Sequence, residues 1–321
     1  MEESTDMLLK DKATLTADRR AIRRKQRFPF LMLLPFFIPV VIFVVVPIIL
    51  MVVMSFTDMK FTLQWNFIGF ENYRRIFGYP DMSKILARTI LLVVANTTFS
   101  VLGSIFVVVI TTYYLDIVYR RKNLGLLFRI IWLIPNLTPT IVFMFIWRFM
   151  FGPEGYGMIN KMLAAIGLPA MNWFTNWSMQ LLLASMSLSS ASGSIILFSS
   201  AIRQIPESIV QSAKVDGAGN FYICRRIVLP YLRWPITQKT LWSILGNFTA
   251  YESIRLLTGG GPMGSTVTYA YYIYQNAYQY HTYGYGAALS VFMVLMSITM
   301  GLIMLRVFQV DKQLRVPRMD I

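Results

Sequence analysis

Uncharged, apolar runs recur along this chain at lengths that match a bilayer. Phe28 to Thr57 carries no charge between Arg27 and Asp58, and Thr89 to Leu115 none between Arg88 and Asp116. Leu124 to Phe151 is apolar apart from Arg129 and Arg148 near its ends. Met179 to Ile202 is uncharged and serine-rich, and Gly286 to Leu305 is the last such run. Trp234 to Leu257 is interrupted by Lys239, Glu252 and Arg255. A helix crossing hydrocarbon needs about 20 mostly apolar residues, so the pattern predicts an all-α membrane protein with six transmembrane helices. The first run exceeds the roughly 7–15 apolar residues of a signal peptide and contains no Ala or Gly from which to build a cleavage site. It is therefore expected to be a retained span, bent by Pro29, Pro35, Pro39 and Pro47 in a way that neighbouring helices tolerate.

Composition supports that reading. The chain has 321 residues, 56% hydrophobic and 14% charged, against about 25% charged in an average soluble domain. Its net charge of +15 is resolved by position. Of the 30 Lys and Arg residues, 21 fall in segments 1–27, 115–129, 203–233 and 306–321, and 8 in the alternate segments 58–88, 148–178 and 252–283. Cationic loops resist translocation, so both termini are expected in the cytoplasm. The chain then divides into a cytoplasmic N-terminal segment (1–27), a six-helix membrane domain (28–308) and a cytoplasmic tail (309–321). The basic excess reports topology, and no nucleic-acid partner is expected, because no basic stretch interleaves with aromatics on a soluble module.

Several chemistries are excluded by what the spans lack. One Cys and one His, His281, leave no disulfide framework and no metal site, since zinc needs three or four ligands. An intramembrane enzyme needs paired catalytic groups, and the spans hold a single acid, Glu252. No Gly-Lys dipeptide occurs, so no phosphate-binding Walker loop is present. A channel or secondary transporter usually carries internal repeats, and none is evident.

Segment 203–233 is too long for a connector between spans, where 2–8 residues are usual. It reads as two short helices. Pro206 suits a helix start, Ile209 and Ala213 share a face, and Gly217 can end the first helix with a positive φ. Phe221, Cys224 and Ile227 make a second apolar stripe, and Pro230 is expected to stop the second helix. Such a face needs a protein groove or the lipid headgroup layer.

At these residues the chain resembles the permease subunits of binding-protein-dependent ABC importers. Pro206-Glu207, Ala213, Asp216-Gly217-Ala218, then Ile227, Leu229 and Pro230 are similar to the EAA loop of that family. Leu257-Thr258-Gly259-Gly260-Gly261-Pro262 and Gly284-Tyr285-Gly286-Ala287-Ala288 resemble a signature of its maltose-permease-like branch, with a softer match at Ile68-Gly69-Phe70-Glu71-Asn72-Tyr73. Gln211 and Ser212 stand where the family usually has Glu and Ala, and Cys224 where an aromatic is common. The resemblance implies the type I importer permease fold and no cofactor on this chain, with ATP and Mg on partner subunits. It implies a second homologous permease subunit, two ABC ATPase subunits, an extracytoplasmic sugar-binding protein and membrane lipid as partners. Glu207, Gln211, Ala213, Asp216, Gly217, Ala218, Phe221, Cys224 and Pro230 would form the ATPase-coupling loop. Gly259, Gly260, Gly261 and Pro262 would lie at the external gate on a flexible backbone.

Polar residues within spans tend to face a bundle interior or a water-filled path. The resemblance places Ser189, Ser190 and Gly193, and Ser243, Gly246, Asn247 and Ala250, on the sugar path. Helix packing is the competing account of the serines. Hydroxyls and an amide suit a polyhydroxylated ligand, with Trp242 or Tyr251 available to stack on it. Arg148 or Arg255 on the path would suit an acidic, uronate-type sugar. Otherwise Glu252 and Arg255 are expected to pair at i, i+3, and Lys239 to snorkel towards the membrane surface.

Overall fold

The computed structural model describes residues 32–62 and 66–309. The segment 1–27, Pro29 and the tail beyond Gln309 lie outside the described residues, as do the termini whose side of the membrane the basic residues predict. Among the described residues there is no strand, only an isolated bridge between Thr57 and Phe67.

The main elements are α1 (Met32–Met54), α2 (Glu71–Gly78), α3 (Met82–Val118), α4 (Lys122–Leu137) and α5 (Thr140–Met150). They continue with α6 (Met158–Ala165), α7 (Ser178–Arg203), α8 (Glu207–Val215), α9 (220–231) and α10 (Arg233–Thr249). The last are α11 (Glu252–Leu257), α12 (269–279) and α13 (Tyr283–Val307).

Among the described residues four helices, α1, α3, α7 and α13, are long and apolar enough to cross a membrane, or five crossings if the bent pair α4–α5 is one span. The two other predicted spans differ from plain helices. The run 124–151 bends by 99° between α4 and α5. Pro139 is the cause: the residue before a proline is driven out of helical geometry, and Thr138 sits at φ −80°, ψ 129°. The run 234–257 becomes the 17-residue α10, an extended Ala250 at ψ 117°, and the short α11. In α1 a π-turn at Val41–Val45 lies between Pro39 and Pro47, the wider turn accommodating missing backbone donors. None of α1's side chains is buried, which leaves an all-round apolar surface suited to lipid.

Three apolar clusters order the bundle. One joins α2, the start of α3, α12 and α13 through Ile76, Ile85, Tyr269, Tyr285 and Leu289. The middle one sets Leu92 of α3 against Met144, Leu182 and Ile254. The third packs the far end of α3 and α7 against the 203–233 loop through Val108, Tyr113, Phe198, Ile202, Val210, Ile223 and Val228. The loop is thus part of the folded domain.

Close approaches fix the first of these regions. Asn72 donates to the carbonyls of Ser55 (2.9 Å) and Thr57 (2.8 Å), tying α2 to the end of α1. Gly284 lies so near the Thr57 carbonyl that a Cβ would overlap it, and its N–H donates to Met59 O at 2.9 Å.

Candidate functional site

A cleft of about 440 Å³ opens between α7 and α10, closed further by α3 and the α4–α5 bend. Ser189, Ser190 and Gly193 of α7, Asn247 of α10 and Ala250, which the resemblance assigns to the sugar path, line it. Ser243 is buried behind the lining, its hydroxyl 3.4 Å from that of Ser190. Gly246 does not line it, and a Cβ there would meet nothing. Trp242 faces the cleft and is 71% exposed. Tyr251 does not reach it: it stacks on Tyr274 at 5.1 Å and borders a separate, apolar pocket with α13.

The cleft's polar wall is a network across three helices. Asn96 of α3 donates to Asn247 Oδ1 at 2.7 Å and accepts from Ser187 at 2.8 Å, while Asn247 Nδ2 donates to Thr97 at 3.2 Å. The amide of Asn247 therefore finds the polar company that its depth demands. Sequence reasoning passed over Asn96, Asn136, Gln238 and Ser253, which also line the cleft. Asn96 carried the signal already applied to Asn247, an amide inside an apolar run. The serines of α7 differ in what they bond. Ser185 and Ser192 bond back to their own helix, and Gly193 lets Asn136 of α4 approach to 2.9 Å of where a Cβ would stand.

The charges within the spans are arranged differently from expectation. Arg255 does not pair with Glu252; its guanidinium lies 5.1 Å from the ring centroid of Tyr274, a cation–π contact. Among the described residues Arg148 reaches only the Leu256 carbonyl, at 3.4 Å. Neither arginine lines the cleft. Lys239 does, and instead of snorkelling outward its ammonium donates to Ser190 O at 2.9 Å and Ser190 Oγ at 3.1 Å. At the loop end, buried Asp116 pairs through Oδ2 with Arg129 and Arg203, both at 2.8 Å, joining α3, α4 and α7.

The glycine-rich segment after α11 is pinned, not loose. Tyr271 donates to Gly259 O at 3.1 Å, Thr266 donates to Gly261 O at 3.1 Å, and Arg88 of α3 donates to Gly264 O at 2.7 Å. Gly259 and Gly260 adopt φ of +62° and +86°. A Cβ on Gly260 would stand 2.8 Å from the Tyr271 ring. The glycines serve left-handed backbone and close packing. Pro262 follows at the turn, where its carbonyl accepts from Ser265 N at 2.8 Å. His281 packs against Phe61, ring centroids 5.3 Å apart.

In the loop, Pro206 caps α8, and Gly217 at φ +81° reverses the chain before α9. Asp216 closes the last turn of α8, and Ala218 N donates to Ala213 O at 2.9 Å. Gln211 donates to Glu207 at 3.1 Å. Three expectations change. Val210, not Ile209, faces inward with Ala213. The inward stripe of α9 is Ile223, Cys224, Ile227 and Val228, while Phe221 points out at 72% exposure. Pro230 does not stop the helix: a π-turn at Cys224–Val228 makes room for its ring, which would otherwise press on the carbonyl four residues earlier. Because the bundle covers the loop's apolar stripe, the stripe is not laid on lipid headgroups. What remains exposed is an apolar tip of Val215 (87%), Phe221 and Tyr222. Burial pushes the Cys224 thiol above its ordinary range.

Comparison with known proteins agrees with this architecture. The chain is 29% identical to the sulfoquinovosyl glycerol transport system permease of Agrobacterium fabrum, over 87% of this chain and 89% of the relative. It is 28% identical to the arabinooligosaccharides transport system permease of Bacillus subtilis, over 88% of each. It is 25% identical to the trehalose/maltose transport system permease of Thermococcus litoralis, over 88% of this chain and 94% of the relative. The fold is shared with a chain of a bacterial ABC transporter that imports the acidic polysaccharide alginate, at TM-score 0.78 and 22% identity, covering 90% of this chain and 97% of that one. Residues 109–310, which hold the loop, the cleft walls of α7 and α10 and the glycine-rich segment, match the family of inner membrane components of binding-protein-dependent transport systems, and the chain belongs to that family.

Proposed function

We propose that this chain is one of two homologous permease subunits of an ATP-driven importer. It takes a sugar or oligosaccharide from an extracytoplasmic binding protein and passes it through the bacterial inner membrane by alternating access, with both termini in the cytoplasm. The observation that carries this reading is the polar cleft of Asn96, Ser189, Ser190 and Asn247, a wall of neutral hydrogen-bonding groups suited to hydroxyls. The names of the relatives support a saccharide, because three that match nearly the full chain serve sulfoquinovosyl glycerol, arabinooligosaccharides and trehalose or maltose.

In this reading the exposed tip of Val215, Phe221 and Tyr222 enters a groove on an ATPase subunit, and α8 and α9, hinged at Gly217, carry its movement to α3 and α7. ATP and Mg bind the two ATPase subunits and not this chain. The α4–α5 bend and the break at Ala250 bring irregular backbone to the cleft, which Asn136, Thr140 and Ala250 line, and irregular backbone at membrane depth is tolerated where it lines a cavity. Reading α4–α5 as one span and α10 with α11 as another restores six crossings. Purification of the tagged chain in mild detergent tests the assembly: two ATPase chains and a second permease are expected to copurify. A homo-oligomer without a nucleotide-binding partner would refute it.

A further inference from the structure

Of the side chains lining the cleft, Lys239 is the one that carries a charge. Its ammonium spans from α10 to α7, with two of its three N–H groups given to Ser190, and the third is free to meet whatever occupies the cleft. Among the described residues the acids in ion pairs are Asp81 and Asp116; none faces Lys239. A cation at this depth without a counter-charge is costly, and such residues mark substrate or ion paths. Neutral hydroxyls need no ammonium, since Asn136, Ser189 and Gln238 already offer donors and acceptors around the cleft.

We propose that Lys239 is a specificity-determining residue that selects saccharides bearing an anionic group, a carboxylate or sulfonate, and supplies its counter-charge during passage. This rests on the reading of the cleft as the substrate path. Lysine suits such a role because a compact charge with rotatable donors holds an anion without the bidentate grip of arginine, so the ligand is recognised and released. Trp242, exposed on the same helix, offers its ring to the sugar's C–H face one turn from the ammonium.

Uptake of two radiolabelled probes, a uronic acid trisaccharide and a neutral arabinose trisaccharide, into cells carrying the complete importer tests the assignment. Wild type, Lys239→Gln and Lys239→Arg are compared at equal amounts of assembled complex. Uronate uptake is expected in wild type, to fall at least about tenfold in Lys239→Gln, the scale for stranding one member of a desolvated charge pair, and to persist in Lys239→Arg. Equal uronate uptake by wild type and Lys239→Gln overturns the proposal, as does wild-type uptake of the neutral probe alone; both leave the sugar-importer reading standing. Loss of the partner permease from Lys239→Gln complexes also overturns it, by assigning the lysine to assembly. Uptake of neither probe by wild type also overturns the proposal, while the importer reading is decided separately by whether the ATPase chains copurify.

Discussion

Asn96 donates to Asn247 Oδ1 at 2.7 Å, and this bond joins α3 to α10 across the wall of the cleft. One amide thus serves packing and lines the cavity. Asn247→Leu removes this bond and the one to Thr97, and strands the Asn96 donor. Bonds between membrane helices average about 0.6 kcal/mol and reach about 1.7, and an unpaired buried donor adds about 1–3 kcal/mol. The variant is expected to lower the unfolding temperature of the detergent-solubilised complex and to raise the half-saturating sugar concentration, with the ATPase still bound. An unchanged concentration dependence would confine Asn247 to packing.

Asp116 accepts from two arginines, and the site has no room to spare. A Cβ on Gly125 would overlap both the Asp116 carboxylate and the Thr111 carbonyl. Gly125→Ala is expected to push the carboxylate off Arg129, which is buried. Asp116→Asn leaves the same guanidinium uncompensated. Breaking a buried pair by removing one partner costs about 3–5 kcal/mol. Both variants should show a loss of that order in thermal unfolding, whereas Arg203→Gln, at a half-exposed side chain, should cost far less. Equal losses in all three would show that the Arg129 pair has no special weight.

The runs that became α1, α3, α7 and α13 were legible because an uncharged stretch of bilayer length admits few other structures. The turn at Gly217 was legible for a similar reason: few residues tolerate its φ. What stayed hidden depended on contacts distant in sequence. Arg255 turned to Tyr274 rather than to its neighbour Glu252. Lys239 bonds to Ser190 in place of snorkelling, and nothing in the sequence says that Ser190 stands opposite. The stripe of α9 stayed hidden because size alone favours Phe221 on the inner face, while the smaller Ile223 and Cys224 occupy it. The bend at Pro139 was invisible in an apolar run that continues through it.

The loop separates hinge from surface. Gly217 has φ +81° and open space around it. Gly217→Pro cannot adopt that φ, while Gly217→Ala meets only left-handed strain of about 1–2 kcal/mol. The proline variant is expected to insert normally but to lose sugar-stimulated ATP hydrolysis, with the alanine variant between it and wild type. Asp216→Lys is expected to fail in the same assay. Full stimulated hydrolysis in both Gly217→Pro and Asp216→Lys would refute the coupling role.

Phe221 is exposed in the isolated chain, so Phe221→Ala removes little internal packing. Its unfolding temperature should match wild type, while the ATPase recovered by pull-down falls, since truncating an aromatic anchor at an interface costs about 2 kcal/mol or more. A stable variant with undiminished ATPase would place the docking surface elsewhere.

Cys224 gives a direct reading of how the loop is packed. It is the chain's one cysteine, buried among Ile223, Val228 and the ends of α3 and α7, and burial raises its pKa above that of an ordinary thiol. Thiolate is the reacting species. A raised pKa means a smaller thiolate fraction at any pH below it, so alkylation by iodoacetamide should be slow at pH 7. Its rate should climb about tenfold per pH unit and still be rising at pH 9, where an unperturbed thiol would be levelling off. Unfolding in detergent and urea removes both burial and shift, and should give fast labelling with an ordinary midpoint. Rapid labelling of the folded complex at pH 7 would mean that α9 turns Cys224 outward, and would return Phe221 to the inner face that the sequence pattern assigned to it.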